Sequence, residues 1–216
     1  MARKRSSLLL SPRKRPTQAR AQRTYQALVQ AGARILERRG YEALTTNHVA
    51  DLAGVGIASL YEYFPNKQSL VAEVVRHVLD DLVDDLRANV NLVAASPHKD
   101  AMRAWITALF AAVHKRRSIV AVIFREVPFL WEIPAVERAR ELLLEIAFAS
   151  RDLRARAVET AMVPDATVYL LATMTGAAVL EAVLRPPPQH PPEVLIASLT
   201  EIVNRVRRER PGRTAS

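Results

Sequence analysis

With 216 residues, half of them apolar and a quarter charged, the chain has globular composition and enough length to bury a core in one large domain or two small ones. It contains no cysteine, which excludes disulfides and thiolate metal ligands. The net charge of +9 is unevenly placed: residues 1–70 hold 12 Lys and Arg against 4 Asp and Glu, whereas residues 71–216 hold 19 against 18. That segregation points to a polyanionic partner for one end of the chain.

Residues 1–16 are basic, contain Pro and Ser, show no apolar period, and read as a disordered arm. The three consecutive leucines at 8–10 are too short for a signal-peptide core, and no run of 18 apolar residues follows, so a soluble cytoplasmic protein without membrane contact is expected. From Thr17, the positions Tyr25, Leu28, Val29, Gly32, Ile35 and Leu36 trace one face of a helix that stops at Gly40. Thr46 is placed to cap a short helix with a buried face of Val49, Ala50 and Ala53, closed by Gly54. A second short helix carries Leu60 and Phe64 on its inner face and ends at Pro65.

Asn66 caps a long helix with apolar positions Leu70, Val74, Val78, Leu82, Leu86 and Val90. Helices are then expected over 98–116, 118–126, 134–157, 165–184 and 192–209, with a turn at "VPFLWEIP" and a rigid polyproline connection at "RPPPQHPP". No alternating strand pattern occurs, so the fold class is all-α.

Two short helices joined by a Gly-Val turn after a longer helix describe a helix-turn-helix, whose second helix enters the major groove. Thr45, Thr46 and Asn47 begin the first short helix, where hydroxyl, amide and backbone N–H groups can meet phosphates. Gly56 and Ala58 permit close approach in the second, and Ser59 can bond a base edge or phosphate. Ile57 has two readings, a thymine-methyl contact or a partly packed residue three before Leu60. Tyr61, Tyr63 and Lys67 are expected on the flanking phosphates.

The stretch "NHVADLAGVGIASLYEYFPNKQSLVAEVV" closely resembles the DNA-binding segment of the TetR family of transcriptional regulators. The resemblance rests on Val49-Ala50, Ala53-Gly54-Val55, Leu60-Tyr61-Glu62-Tyr63-Phe64 and Lys67-Gln68-Ser69-Leu70, and spans roughly residues 17–80. It implies that Thr46, Asn47, Ile57, Ala58, Ser59, Tyr61, Tyr63 and Lys67 fall where family members contact DNA. Some residues depart from the family pattern. Ile57 stands where polar or basic residues are common, Ala58 where Gly is frequent and Ser59 where Thr is commoner, while Glu62 puts an acid on a DNA-facing helix. Few base-directed donors remain, so shape readout and minor-groove contact from Arg13, Lys14 and Arg15 are expected to add specificity.

The resemblance further implies a ligand-binding and dimerisation domain, with the last two helices forming a four-helix bundle across a two-fold axis. The residues support this independently. "YLLATMTGAAVLEAVL" is apolar nearly all round and must be covered on every side, within the subunit or by a second copy. The expected interface is Thr173, Gly176, Ala177 and Leu180 with Leu195, Leu199 and Ile202. The domain plan is therefore an arm over 1–16, a helix-turn-helix domain over 17–66, an effector-binding and dimerisation domain over 67–209, and a tail over 210–216. Candidate effector residues are Met102, Trp105, Phe110, Phe124, Phe129, Trp131, Phe148 and Met174, all of which also read as ordinary core. His77 with Asp80, Asp81, Asp84 and Asp85 reads as a solvated helix face, so no metal or other cofactor is expected.

The functional expectation is a homodimeric regulator, a repressor released from a palindromic double-stranded operator by an unknown small hydrophobic ligand. The alternative is a ligand-independent or chromosome-organising DNA-binding protein of the same fold. An enzyme is not expected, because no GxSxG, HExxH, P-loop or GxGxxG motif appears.

Overall fold

The computed structural model describes residues 9–95, 101–158 and 164–208. Residues 1–8 of the expected arm and the expected tail 210–216 lie outside the described residues. The elements are α1 (Ala19–Ala43), α2 (Thr46–Ala53), α3 (Ile57–Tyr63), α4 (Lys67–Ala95), α5 (Ala101–His114), α6 (Arg117–Glu126), a 3-10 turn (Leu130–Glu132), α7 (Pro134–Val158), α8 (Asp165–Leu184) and α9 (Pro192–Arg208). Among the described residues there is no strand, and the fold is all-α.

The chain divides into two compact units: Met1–Asp80 with Ser118–Glu137, and Asp81–Arg117 with Arg138–Ser216. This differs from the expected boundary at residue 66, because the helix-turn-helix unit recruits both the first half of α4 and a distant segment. In that unit Leu28, Leu36, Val49, Leu60, Phe64 and Val74 are fully enclosed. The Tyr25 ring lies 5.0 Å from Phe64 and 5.5 Å, edge-on, from Tyr63. The recruited segment adds Ile123, Val127, Leu130 and Ile133 to the same core. It also places Phe129 edge-on to Tyr41 at 5.8 Å.

The end of α1 shows how the segment is held. Gly40 (φ 81, ψ 176) breaks the helix where the sequence predicts, and the freed Tyr41 N–H donates to Glu126 Oε2 at 2.9 Å. A Cβ at Gly40 would adopt a left-handed backbone and collide with the Glu126 carboxylate. Gly40→Ala is therefore expected to destabilise this unit by about 2–4 kcal/mol, combining backbone strain with loss of that hydrogen bond. A denaturant midpoint equal to wild type would refute the constraint.

Residues 9–16 are not the free arm expected from their composition. Leu10 packs on the core, Arg13 N–H donates to the Tyr63 carbonyl at 2.7 Å, and Lys14 pairs with Glu62 at 2.9 Å. Arg15 lies 3.6 Å from Glu73. One apolar anchor and single ion pairs hold this strap, which is why it has no sequence period.

In the other unit α5 packs against α8 and α9. Ile106, Val113, Val179, Val183 and Val203 are buried here. Asp85 on α4 pairs with Lys115 at 3.1 Å and with Arg116 after α5. Hydrogen bonds from Arg116 and Lys115 hold the Asp85 carboxyl below its ordinary range. The Pro-rich link between α8 and α9 closes a turn, with His190 N–H donating to the Pro187 carbonyl at 3.1 Å, and is not a continuous polyproline rod.

Candidate nucleic-acid interface

α2 and α3 are joined at Gly54, whose left-handed backbone (φ 67, ψ 32) ends α2 and leaves open space where a side chain would sit. The N-cap of α2 is Thr45, not Thr46, and its hydroxyl accepts from His48 N–H at 3.2 Å. This frees Thr46, whose hydroxyl lies 3.1 Å from that of Tyr61 on α3. The pair fixes the exposed start of α2 beside the exposed flank of α3. Asn47, Gly56, Ile57, Ala58 and Tyr61 are exposed and Ser59 is half-buried, so these expected contact residues share an accessible region.

Tyr63 is a correction. It is 6% exposed and packs on Tyr25, because Leu60, Tyr63 and Phe64 fall at i, i+3 and i+4 on the inward face of α3. The acid at Glu62 is also explained, since Lys14 neutralises it across the strap. Arg13, Lys14 and Arg15 thus lie against α3 and α4, the last two as ion-pair partners.

α4 begins with a reciprocal cap. Ser69 N–H donates to Asn66 Oδ1 at 2.7 Å, and the Ser69 hydroxyl donates to the Asn66 carbonyl at 2.8 Å. The next residue, Lys67, holds its ammonium 4.0 Å from the Tyr41 ring centroid. Burial pulls the Lys67 ammonium below its ordinary value, against the opposing charge of Glu42.

A family model described as bacterial regulatory proteins, tetR family, matches residues 28–74, the segment from the middle of α1 into α4. Residues 28–74 thus match the DNA-binding segment of the TetR family. Over 103 residues it is 33% identical to the HTH-type transcriptional repressor KstR2 of Rhodococcus jostii, covering 48% of this chain and 50% of that protein. The chain spans about half the length of the curated relatives it matches.

Among solved structures, the fatty acid degradation regulator FadR of Bacillus halodurans aligns with a TM-score of 0.63 at 15% identity, over 88% of this chain and 96% of that one. The transcriptional regulator FadR of Bacillus subtilis, solved with stearoyl-CoA, aligns with a TM-score of 0.61 at 16% identity, over 84% and 97%. These two share the fold of this chain.

The expected effector residues do not gather in one unit. Phe129 is core of the helix-turn-helix unit, where Phe124 and the 76% exposed Trp131 form an edge-on pair at 6.0 Å. Trp105, Met102 and Phe148 are half-buried in the other unit, and Phe110 is buried there, stacked on His114. Met174 is 62% exposed, on the same outer side of α8 as Thr173 and Ala177.

The seven expected interface residues, by contrast, all retain accessible surface. Thr173, Ala177 and Ile202 are exposed, while Gly176, Leu180, Leu195 and Leu199 are half-buried. α8 is long and apolar enough, by length and composition, to cross a membrane, and little of it is buried.

Sequence reasoning missed Glu73, which is 3% exposed. Arg76 donates to it twice, at 2.7 and 3.0 Å, and also pairs with Asp80. Burial alone would raise the Glu73 carboxyl, but hydrogen bonds from Arg76 and the charges of Arg76 and Arg15 outweigh it and hold the group below its ordinary value. The Tyr25 hydroxyl is buried close by without closing a full hydrogen bond, and burial pushes its titration up. The i, i+3 spacing of Glu73 and Arg76 was legible, but their burial was not.

Proposed function

We propose that this TetR-family chain is a sequence-specific DNA-binding regulator, a repressor that binds a palindromic operator as a homodimer. The observation that carries it is the geometry of α2 and α3. Polar groups at the start of α2 adjoin an exposed α3 surface, with the Thr46–Tyr61 pair locking the two helices together. The outer faces of α8 and α9 suit a second copy, because Leu170, Met174, Val194 and Ile202 are exposed in the single chain. Release by a hydrophobic ligand completes the reading, and the stearoyl-CoA bound to the Bacillus subtilis neighbour supports that ligand class. Such a ligand acts only by its preference between conformations, with α4 continuous in sequence between the two units. The reading places the protein in the cytoplasm and includes no enzymatic step.

Binding-site selection from genomic fragments tests the proposal, and recovery of no common palindrome would sink it. On a selected site, Lys67→Ala is expected to lower the slope of log affinity against log salt by about 0.9, with little change in base preference. Ser59→Ala is expected to relax preference at one base position. If Ser59→Ala leaves every preference intact, α3 does not read bases through that hydroxyl.

The second reading is a ligand-independent regulator of the same fold. It is favoured by the division of the expected effector residues between two units. A melting point unmoved by long-chain acyl-CoA, on protein that binds its operator tightly, would select it.

A further inference from the structure

We infer that the cleft between α1 and α2 is a second phosphate-binding surface, which holds the sugar-phosphate backbone of DNA beyond the bases read by α3. The inference rests on the DNA-binding reading above and extends it to residues outside the helix-turn-helix positions already assigned to DNA.

The cleft measures about 200 Å³ and is lined by Arg34, Ile35, Arg38, Arg39, His48 and Leu52. Four of those six residues are basic types and none is acidic. Arg34 and Arg38 are one turn apart on α1, with Arg39 adjoining, and all three are exposed. Among the described residues these three make no ion pair or hydrogen bond. Elsewhere Arg76, Arg87, Arg116, Arg185 and Arg205 each meet a carboxylate. Three unpaired guanidinium groups around one cleft repel one another, and an anion supplied from outside relieves that repulsion.

The shape of the cleft selects among anions. Its wall includes the buried Ile35 and the exposed Leu52, so apolar surface lies among the guanidinium groups. A free phosphate ion has no use for such surface, whereas deoxyribose between two phosphates presents an apolar face. Position selects duplex DNA over an acidic protein segment. His48 lies in the first turn of α2, beside Asn47, and His48 and Leu52 are four apart on the side toward α1. α3 meets α2 through Thr46, a different side. The surface therefore runs from α3 across the start of α2 to the cleft, leaving the base-reading helix for the backbone.

The test uses the full chain and an operator recovered by selection, with native flanks. Arg38→Ala/Arg39→Ala is expected to lower the salt slope by about 1.8, which is about 0.9 for each phosphate that is no longer neutralised. Ethylation interference should lose a set of phosphates that block wild-type binding, while base preference in selection stays as in wild type. Arg38→Lys/Arg39→Lys keeps both charges and should retain the slope. Both pairs are on the surface, and matching thermal midpoints establish that the variants are folded. The His48 ring signals in NMR should shift with the duplex, and not with inorganic phosphate alone at the same ionic strength.

A wild-type slope and wild-type interference pattern in the alanine variant would overturn the inference. A His48 shift with inorganic phosphate but none with duplex would overturn it in favour of a small-anion site. Should wild type itself select no duplex, the DNA-binding reading fails first and the inference falls with it.

Discussion

Replacing Gly176 with phenylalanine is expected to leave each protomer folded and to dissociate the proposed dimer. Among the described residues, and apart from its chain neighbours and the nearby backbone of α8, nothing lies within 4 Å of the position a Cβ at Gly176 would occupy, so the protomer has room at that point. Thr173 and Ala177, three before and one after it on α8, are exposed, as are Leu170 and Met174. The clash is expected against a second copy. Overpacking a close helix contact costs about 1–3 kcal/mol, and a two-fold interface contains the substitution twice. The dimer dissociation constant should then rise by roughly one to four orders of magnitude, with operator affinity falling alongside.

Met174→Arg, at a position 62% exposed in the single chain, gives an independent version. It places a charge in the proposed contact without touching the protomer core. Sedimentation at micromolar concentration reads both variants. A wild-type dimer from each would remove the outer face of α8 from the interface.

The second large effect is expected at Glu73. Its carboxylate is buried, receives two hydrogen bonds from Arg76, and attracts Arg15 of the strap. Breaking a buried pair from one side costs about 3–5 kcal/mol, because the remaining charge loses its partner. Arg76 keeps Asp80 and some access to water, which places Glu73→Ala near the lower end, at about 3 kcal/mol. Replacing both partners, Glu73→Met with Arg76→Leu, should recover most of the loss, since the double change removes the desolvation penalty together with the pair. Denaturant unfolding measures both variants, and Glu73→Ala as stable as wild type would refute the assignment.

The same residue predicts a pH dependence. The folded-state Glu73 carboxyl titrates below its unfolded value, so its stabilisation is fully present above the unfolded value of about 4.3 and is lost as pH falls through the depressed one. The stability gap between wild type and Glu73→Ala should therefore be constant near neutrality and close on acidification below about pH 4.3. A gap that widens there would reverse the sign assigned to Glu73. Loss of the Arg15 partner should also expose residues 9–16 to faster proteolysis.

Much of this protein was legible in one dimension. Periodic signals are local, so Tyr25, Leu28, Val29, Gly32, Ile35 and Leu36 announced the buried face of α1. Gly40 announced its break, and Asn66 with Ser69 announced the start of α4. The α2–turn–α3 pattern was equally local, since its spacing, its Gly54 turn and its exposed polar residues fall within a few turns of helix.

Tertiary structure decided what depends on residues far apart in sequence. Tyr41 and Glu126 meet across 85 positions, which draws 118–137 into the helix-turn-helix unit and makes Phe129 core. Lys14 and Glu62 meet across 48, which turns part of a basic arm into a strap. Tyr63 is buried because it shares the inward face of α3 with Leu60 and Phe64. Glu73 is buried because α4 is enclosed where it joins the core. Helical period and capping act over three or four residues, so the chain itself declares them. Burial of a charge, and the partner that neutralises it, exist only once distant segments have packed.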